Sequence, residues 1–77
     1  MDIKVLGPGC PKCHETEKLV REAVAEASVQ AQVTKVSDFQ EMARLGVFAT
    51  PAVMVDGKVR VSGKVPSKKE ILAWLGR

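Results

Sequence analysis

The sequence predicts an α/β fold with the element order β-α-β-α-β-β-α, and three observations carry this prediction. A short apolar strand at Asp2–Leu6 precedes a long helical pattern and a further strand, which is the order of a parallel βαβ unit. The pair Asp56-Gly57 is a strong two-residue turn signal between two apolar strands, so these strands are expected to form an antiparallel hairpin. With 77 residues, we expect one domain that spans residues 1–77.

The first half of the chain contains two extended segments and one long helix. The strand Asp2–Leu6 is short and apolar enough to be covered on both faces of a sheet. The helix is expected from Pro11 to about Ala27, because apolar residues recur there at helical spacing. Val29–Val36 alternates apolar and polar residues, which is typical of a half-exposed strand at a sheet edge.

A short second helix is expected after Val36. Either Ser37 or Asp38 caps it, since each is followed three residues later by Gln or Glu. Its inner face is expected to consist of Phe39, Met42 and Ala43.

The last part of the chain predicts a hairpin and a final helix. The hairpin strands are Ala52–Val55 and Lys58–Ser62, and in the second strand Val59 and Val61 should face inwards. Ser67 then caps the last helix together with Glu70. The buried face of this helix is expected to contain Ile71, Leu72 and Leu75.

Two cysteines lie at the predicted start of the first helix, in the stretch Gly7-Pro8-Gly9-Cys10-Pro11-Lys12-Cys13. Pro11 suits a first helical position, so Cys10 is the expected N-cap and Cys13 belongs to the first turn. The unpaired N–H groups of that turn and the positive end of the helix dipole favour a thiolate on Cys10. Cys13 is close enough to close a disulfide ring with it. Lys12 either adds a cation beside the sulfurs or is an exposed loop lysine.

Pro51 is the second informative residue, because it immediately precedes a strand in which it removes a hydrogen-bond donor. One alternative is a trans proline that opens the strand. The other is a cis Thr50–Pro51 bond, which costs little before proline and usually shapes a particular turn. In the cis form, Thr50 would present its N–H and C=O next to the dithiol, where an extended substrate segment could pair with them.

Composition excludes several classes of function. The net charge of +3 is modest and the chain has only one Trp and two Phe, which indicates a solvated surface rather than a nucleic-acid site. No apolar run approaches the roughly 18 residues of a membrane span. The N-terminus lacks the pattern of a signal peptide, so we expect a cytoplasmic protein. In that compartment, two cysteines three residues apart are typically catalytic or metal-binding.

These motifs together resemble the thioredoxin fold in its minimal form. The chain is most similar to the small thioredoxin-like or glutaredoxin-like redox-active disulfide proteins of archaea and bacteria. The matching segments are the GxGCPxC opening, Ala49-Thr50-Pro51-Ala52, Val55-Asp56-Gly57 and Gly63 before the final helix. The resemblance implies a four-stranded mixed sheet flanked by three helices. It also implies that Cys10 is the nucleophile, Cys13 the resolving thiol and Pro51 a cis proline, with Pro11, Lys12 and Thr50 shaping the site.

The sequence departs from its larger relatives at two places. Lys4 stands where thioredoxins proper carry a buried Asp that accepts the proton of the second cysteine. The stretch Gly63–Ser67 has none of the acid with which glutaredoxins hold the amino end of glutathione. The reductant of neither family therefore follows from the resemblance.

The predicted function is that of a monomeric thiol–disulfide oxidoreductase that needs no bound cofactor. Its expected partners are a thioredoxin-reductase-like flavoenzyme and disulfide-containing client proteins. One alternative is a glutaredoxin-like reductase linked to glutathione. Another is a soft-metal carrier, although such domains end in a strand and carry a Met where Pro8 stands here. A single CxxC also supplies only two of the roughly four ligands of a closed zinc site.

Overall fold

The computed structural model describes residues 1–76, so that only Arg77 of the predicted domain lies outside the description. Within residues 1–76 the elements follow the predicted order. They are β1 (Asp2–Leu6), α1 (Pro11–Ala27), β2 (Gln32–Val36), α2 (Phe39–Arg44), β3 (Ala52–Val55), β4 (Lys58–Ser62) and α3 (Lys68–Trp74).

The four strands form one mixed sheet in the order β2-β1-β3-β4. Strand β1 is parallel to β2 and antiparallel to β3, and β3 is antiparallel to β4. Leu6, at the end of β1, lies opposite both Val36, at the end of β2, and Ala52, at the start of β3. One edge of the sheet therefore collects the end of β1, the end of β2 and the start of β3.

The core is divided between the two faces of the sheet, because successive residues of a strand point to opposite faces. Helices α1 and α3 cover one face, and α2 covers the other. The first core contains Ile3, Val5, Val20, Ala23, Ala27, Val53, Val55, Val61, Ile71 and Leu75. The second contains Leu6, Met42, Val47, Ala52 and Met54. The helices thus flank the sheet, as the sequence predicts.

The predicted inner face of α2 is wrong at two of its three residues. Met42 is buried, but the Phe39 side chain is 68% exposed and Ala43 is also exposed. The helix has only six residues, and the turn after it folds back so that the Val47 N–H donates to the Met42 carbonyl at 2.9 Å. Val47 thereby enters the second core in place of Phe39.

Strand β4 differs from the prediction because it contains a bulge. Val61 pairs with Val53 and is buried, whereas Val59 pairs with Met54 and is 43% exposed. Since Val53 and Met54 point to opposite faces of the sheet, the extra residue Arg60 turns the Val59 side chain away from the first core.

Strand β2 begins three residues later than predicted, at Gln32 instead of Val29. The reason is its partner: Asp2, the first residue of β1, already lies opposite Gln32. The residues before Gln32 therefore lie beyond the start of β1 and have no β1 residue to pair with.

The local turn and cap predictions are confirmed. Asp56 and Gly57 both have positive φ, at 50° and 84°, as a two-residue hairpin turn of this kind requires. Ser67 and Glu70 form a reciprocal capping box at the start of α3. Asp38, and not Ser37, caps α2, where its side chain accepts a hydrogen bond from the N–H of Gln40. No helix within residues 1–76 combines the length and apolar character needed to cross a bilayer.

Candidate active site

The dithiol lies where β1 ends and α1 begins, at the sheet edge that also holds the start of β3. Cys10 is the N-cap of α1, in an extended conformation, and Pro11 occupies the first helical position. The Cys10 sulfur accepts a hydrogen bond from the N–H of Cys13 at 3.4 Å. This is the predicted arrangement, in which an N–H group of the first turn has no helical partner and is satisfied by the capping side chain.

The two sulfur atoms are in direct contact. Both cysteines are free thiols, and their Sγ atoms lie 2.6 Å apart. Cys10 is partly exposed, whereas Cys13 is completely buried. An S–S bond measures about 2.05 Å, so the transfer of two electrons to an oxidant such as a client disulfide would close the ring with only a small change in side-chain position. The exposed sulfur can meet another molecule, while the buried one can meet only Cys10.

The contact and the difference in burial shift the two thiol pKa values in opposite directions. The pKa of Cys10 is lowered, mainly because its sulfur accepts a hydrogen bond from the Cys13 thiol and a second one from the Cys13 N–H. The pKa of Cys13 is raised, first by burial and then by its hydrogen bond to Cys10. Of the two thiols, Cys10 is therefore the one that loses its proton more readily.

A lysine lies within the motif, and a histidine follows it directly. The Lys12 side chain is exposed, and its N–H is among the backbone groups that lower the pKa of Cys10. His14 is also exposed, and its Nδ1 atom lies 3.4 Å from the Nζ atom of Lys35. The His14 ring thus turns to the neighbouring strand β2. A tuning effect of the Lys12 charge stays a prediction.

The Thr50–Pro51 peptide bond is cis, as the resemblance to the thioredoxin fold implies. Hydrogen bonds hold this segment to the end of β4. The Gly63 N–H donates to the Pro51 carbonyl at 2.9 Å, and the Ser62 hydroxyl donates to the Ala49 carbonyl at 3.2 Å. Pro51 itself is buried. The end of β4 therefore holds the segment before β3 in place through these two hydrogen bonds.

The same segment offers unpaired groups beside the dithiol. Thr50 is half-buried, and within residues 1–76 neither its N–H nor its C=O has a hydrogen-bond partner. Next to it, Ala49 is exposed and the Phe48 side chain is 85% exposed. The edge thus combines a free backbone donor, a free acceptor and an apolar side chain.

Gly7 links the segment to the cysteines, and sequence reasoning assigned it no part in the site. A β-carbon placed on Gly7 would lie 2.2 Å from the Cys13 sulfur and 3.9 Å from the Thr50 β-carbon. Gly7 therefore lies close to both the buried thiol and Thr50. In the sequence, Gly7 is simply the residue that ends β1 in a Gly-Pro-Gly turn, which hides this contact.

The site contains few groups that could bind a metal. Cys10 and Cys13 together supply two thiolate ligands. Among residues 1–76, no group of three or more His, Cys, Asp or Glu side chains is placed to hold a metal ion.

Comparison with known proteins agrees with this geometry. The family model described as a thioredoxin domain matches residues 1–76. A protein named thioredoxin from Methanocaldococcus jannaschii is 44% identical over 69 residues, which cover 90% of this chain and 79% of that protein. A thioredoxin from Methanothermobacter thermautotrophicus is 38% identical over 71 residues, which cover 92% of each chain.

The opposite pKa shifts predict unequal alkylation of the cysteines. With less than one equivalent of iodoacetamide, Cys10 should be modified before Cys13, since only thiolates react. Because the pKa of Cys10 is lowered, Cys10 should still react at pH values at which an unstructured cysteine peptide no longer does. Because the pKa of Cys13 is raised, Cys13 should need a higher pH than that peptide before it reacts. Peptide mass spectrometry measures both, and urea-unfolded protein, in which both sites should react alike, is the control. Faster labelling of Cys13 in the folded protein would contradict the assignment.

Proposed function

The chain belongs to the thioredoxin domain family and is a thiol–disulfide oxidoreductase, and from this premise we propose that it reduces disulfides of client proteins with Cys10 as nucleophile. The observation that carries the proposal is the contact between an exposed, acidified thiol and a buried thiol with a raised pKa. This asymmetry gives each sulfur a separate task, since only the exposed one can reach a client.

The reaction consists of two exchange steps. The Cys10 thiolate attacks one sulfur of the client disulfide, which forms a mixed disulfide and releases the other client sulfur as a thiolate. Cys13 then loses its proton and attacks the Cys10 sulfur. The Cys10–Cys13 disulfide forms, and the second client sulfur leaves as a thiolate. Two electrons pass from the dithiol to the client, whose thiolates take up protons from solvent, while Cys13 releases its proton to solvent.

The first step prepares the second. In the resting dithiol, both a hydrogen bond to Cys10 and the charge of Cys10 raise the pKa of Cys13. A mixed disulfide at Cys10 carries no negative charge, so these two effects are removed and Cys13 loses its proton more readily. Burial, the largest cause of the raised pKa, remains. Within residues 1–76 no carboxylate contributes to the pKa of Cys13, so we propose that solvent accepts this proton, in keeping with Lys4 at the position of the usual acid.

We propose that clients bind along the segment Phe48–Thr50. The free N–H and C=O of Thr50 can pair with an extended client strand, which adds backbone hydrogen bonds without any demand on client sequence. Phe48 provides apolar contact area next to that strand. Pro11 and Pro51 shape the two sides of this edge, and Lys12 adds a positive charge.

We propose a protein reductant, a thioredoxin-reductase-like flavoenzyme, for the return of electrons. The acid nearest to the Gly63–Ser67 loop is Glu70, and its carboxylate accepts hydrogen bonds from the Ser67 N–H and hydroxyl. The Oε1 atom of this carboxylate is thereby held in the cap of α3. The exposed Phe48 suits a protein surface better than a small polar tripeptide.

We further propose that the chain acts as one monomeric domain in the cytoplasm. The first core joins residues from β1, α1, β3, β4 and α3, and both cysteines of the dithiol lie in one chain. The sulfurs alone carry the electrons, so no bound cofactor takes part.

The roles of the two cysteines predict different trapping by their Ser variants. Cys13→Ser should accumulate mixed disulfides with client proteins, because Cys10 still attacks but nothing releases the client. Cys10→Ser should trap none, since Cys13 is buried. Non-reducing gels of pulled-down protein, with the double Ser variant as control, measure this. Equal trapping by both single variants would exclude separate roles.

The choice of reductant predicts how the oxidised protein is recycled. Turnover should be efficient with a flavin-dependent thioredoxin reductase and slow with glutathione plus glutathione reductase. Phe48→Ser should lower kcat/KM for the flavoenzyme by roughly tenfold, as loss of an interface anchor does. Val59→Ser, at a partly exposed position near the hairpin turn, should leave it unchanged. Efficient reduction by glutathione, with none by the flavoenzyme, would place this protein with the glutaredoxins.

A further inference from the structure

Gly7 differs from every other glycine of the chain. The other five, Gly9, Gly46, Gly57, Gly63 and Gly76, all adopt positive φ between 81° and 97°, where a side chain is disfavoured. Gly7 alone has a φ outside the left-handed region, so its φ does not disfavour a side chain. The absence of a side chain at Gly7 therefore has a reason other than conformation.

The reason is contact with the buried thiol. A β-carbon on Gly7 would lie 2.2 Å from the sulfur and 3.0 Å from the β-carbon of Cys13. Carbon and sulfur atoms that are not bonded pack at well above 3 Å, so an added methyl group and the observed sulfur position exclude each other.

Neither backbone can withdraw from this contact at low cost. The Gly7 N–H donates to the Val36 carbonyl at 2.8 Å, which ties Gly7 to the end of β2. Cys13 belongs to the first turn of α1, and its side chain is completely buried. The movable atom is therefore the Cys13 sulfur, which can rotate about the Cα–Cβ bond and away from Cys10.

We propose that Gly7 is a positioning residue for the resolving step: by having no side chain, it leaves the space in which the Cys13 sulfur stays against Cys10. This inference rests on the proposed roles of the two cysteines. It assigns Gly7 no part in the attack of Cys10 on the client, because none of the three atoms nearest to a β-carbon on Gly7 belongs to Cys10, and Cys10 is partly exposed. A residue larger than glycine should slow resolution and spare nucleophilic attack.

The two steps can be separated with one equivalent of dithiobisnitrobenzoate, an aromatic disulfide that releases a coloured thiolate at each step. Attack by Cys10 releases the first thiolate and forms a mixed disulfide. Attack by Cys13 on the Cys10 sulfur releases the second thiolate and closes the protein disulfide. Gly7→Ala should keep the first rate within about threefold and slow the second by about ten- to a hundredfold, the effect of displacing a reacting atom by around 1 Å.

Gly57→Ala is the matched control, because it carries the same substitution at a strained φ in the hairpin turn with nothing within 4 Å of the added carbon. It should destabilise the fold and leave both rates unchanged. An unchanged second phase in Gly7→Ala would overturn the role of Gly7 and leave the proposed function intact. Absence of the first phase in the unmodified protein would instead overturn the role of Cys10.

Stability measurements keep the inference testable if Gly7→Ala folds poorly. Because the clash is with the Cys13 sulfur, urea unfolding should show a smaller loss for Gly7→Ala in a Cys13→Ala background than in the unmodified protein. If Gly7→Ala alone fails to fold, the double variant should fold. Equal losses in both backgrounds, or a double variant that fails to fold while Cys13→Ala folds, would show that Gly7 serves something other than the Cys13 sulfur.

Discussion

The contact between the Cys10 and Cys13 sulfurs is the interaction on which the rest of the site depends. It joins two thiols that differ in burial by a hydrogen bond, which lowers the pKa of Cys10 and raises the pKa of Cys13. A hydrogen bond to an anion inside a partly buried site is stronger than one between neutral groups. The same contact orients the resolving sulfur along the path of its attack. The acidity of Cys10 and the position of the Cys13 sulfur thus both depend on the contact between these two sulfur atoms.

The sheet brings three separate chain segments to this contact. Because β1 is parallel to β2 and antiparallel to β3, the end of β1, the end of β2 and the start of β3 meet at one edge. The end of β1 continues through Gly7 into the cysteine turn, while the start of β3 carries Thr50 and Pro51. Gly63, which directly follows β4, holds the Pro51 segment in place through a hydrogen bond from its N–H to the Pro51 carbonyl. Short connections between regular elements therefore fix the site.

Local signals predicted most of the fold, since caps, hairpin turns and helical spacing act over a few residues. Cys10, Asp38 and Ser67 are all N-caps as expected. The errors at Phe39 and Val59 share a cause, because each depends on a tertiary event: Val47 folds under α2, and a bulge in β4 reverses the facing of Val59. Gly7 could not be identified for the same reason, as its neighbour in the site is six residues away and on another element.

The most direct test of this account is a pH titration of the reduced protein by NMR with isotope-labelled cysteine β-carbons. The pair should titrate in two steps, with Cys10 below the ordinary thiol range and Cys13 above it. In Cys13→Ala, the pKa of Cys10 should rise, because its largest source of stabilisation is gone. Two cysteines that titrate together in the ordinary range, or a Cys10 pKa unmoved by Cys13→Ala, would contradict the central role of the sulfur–sulfur contact.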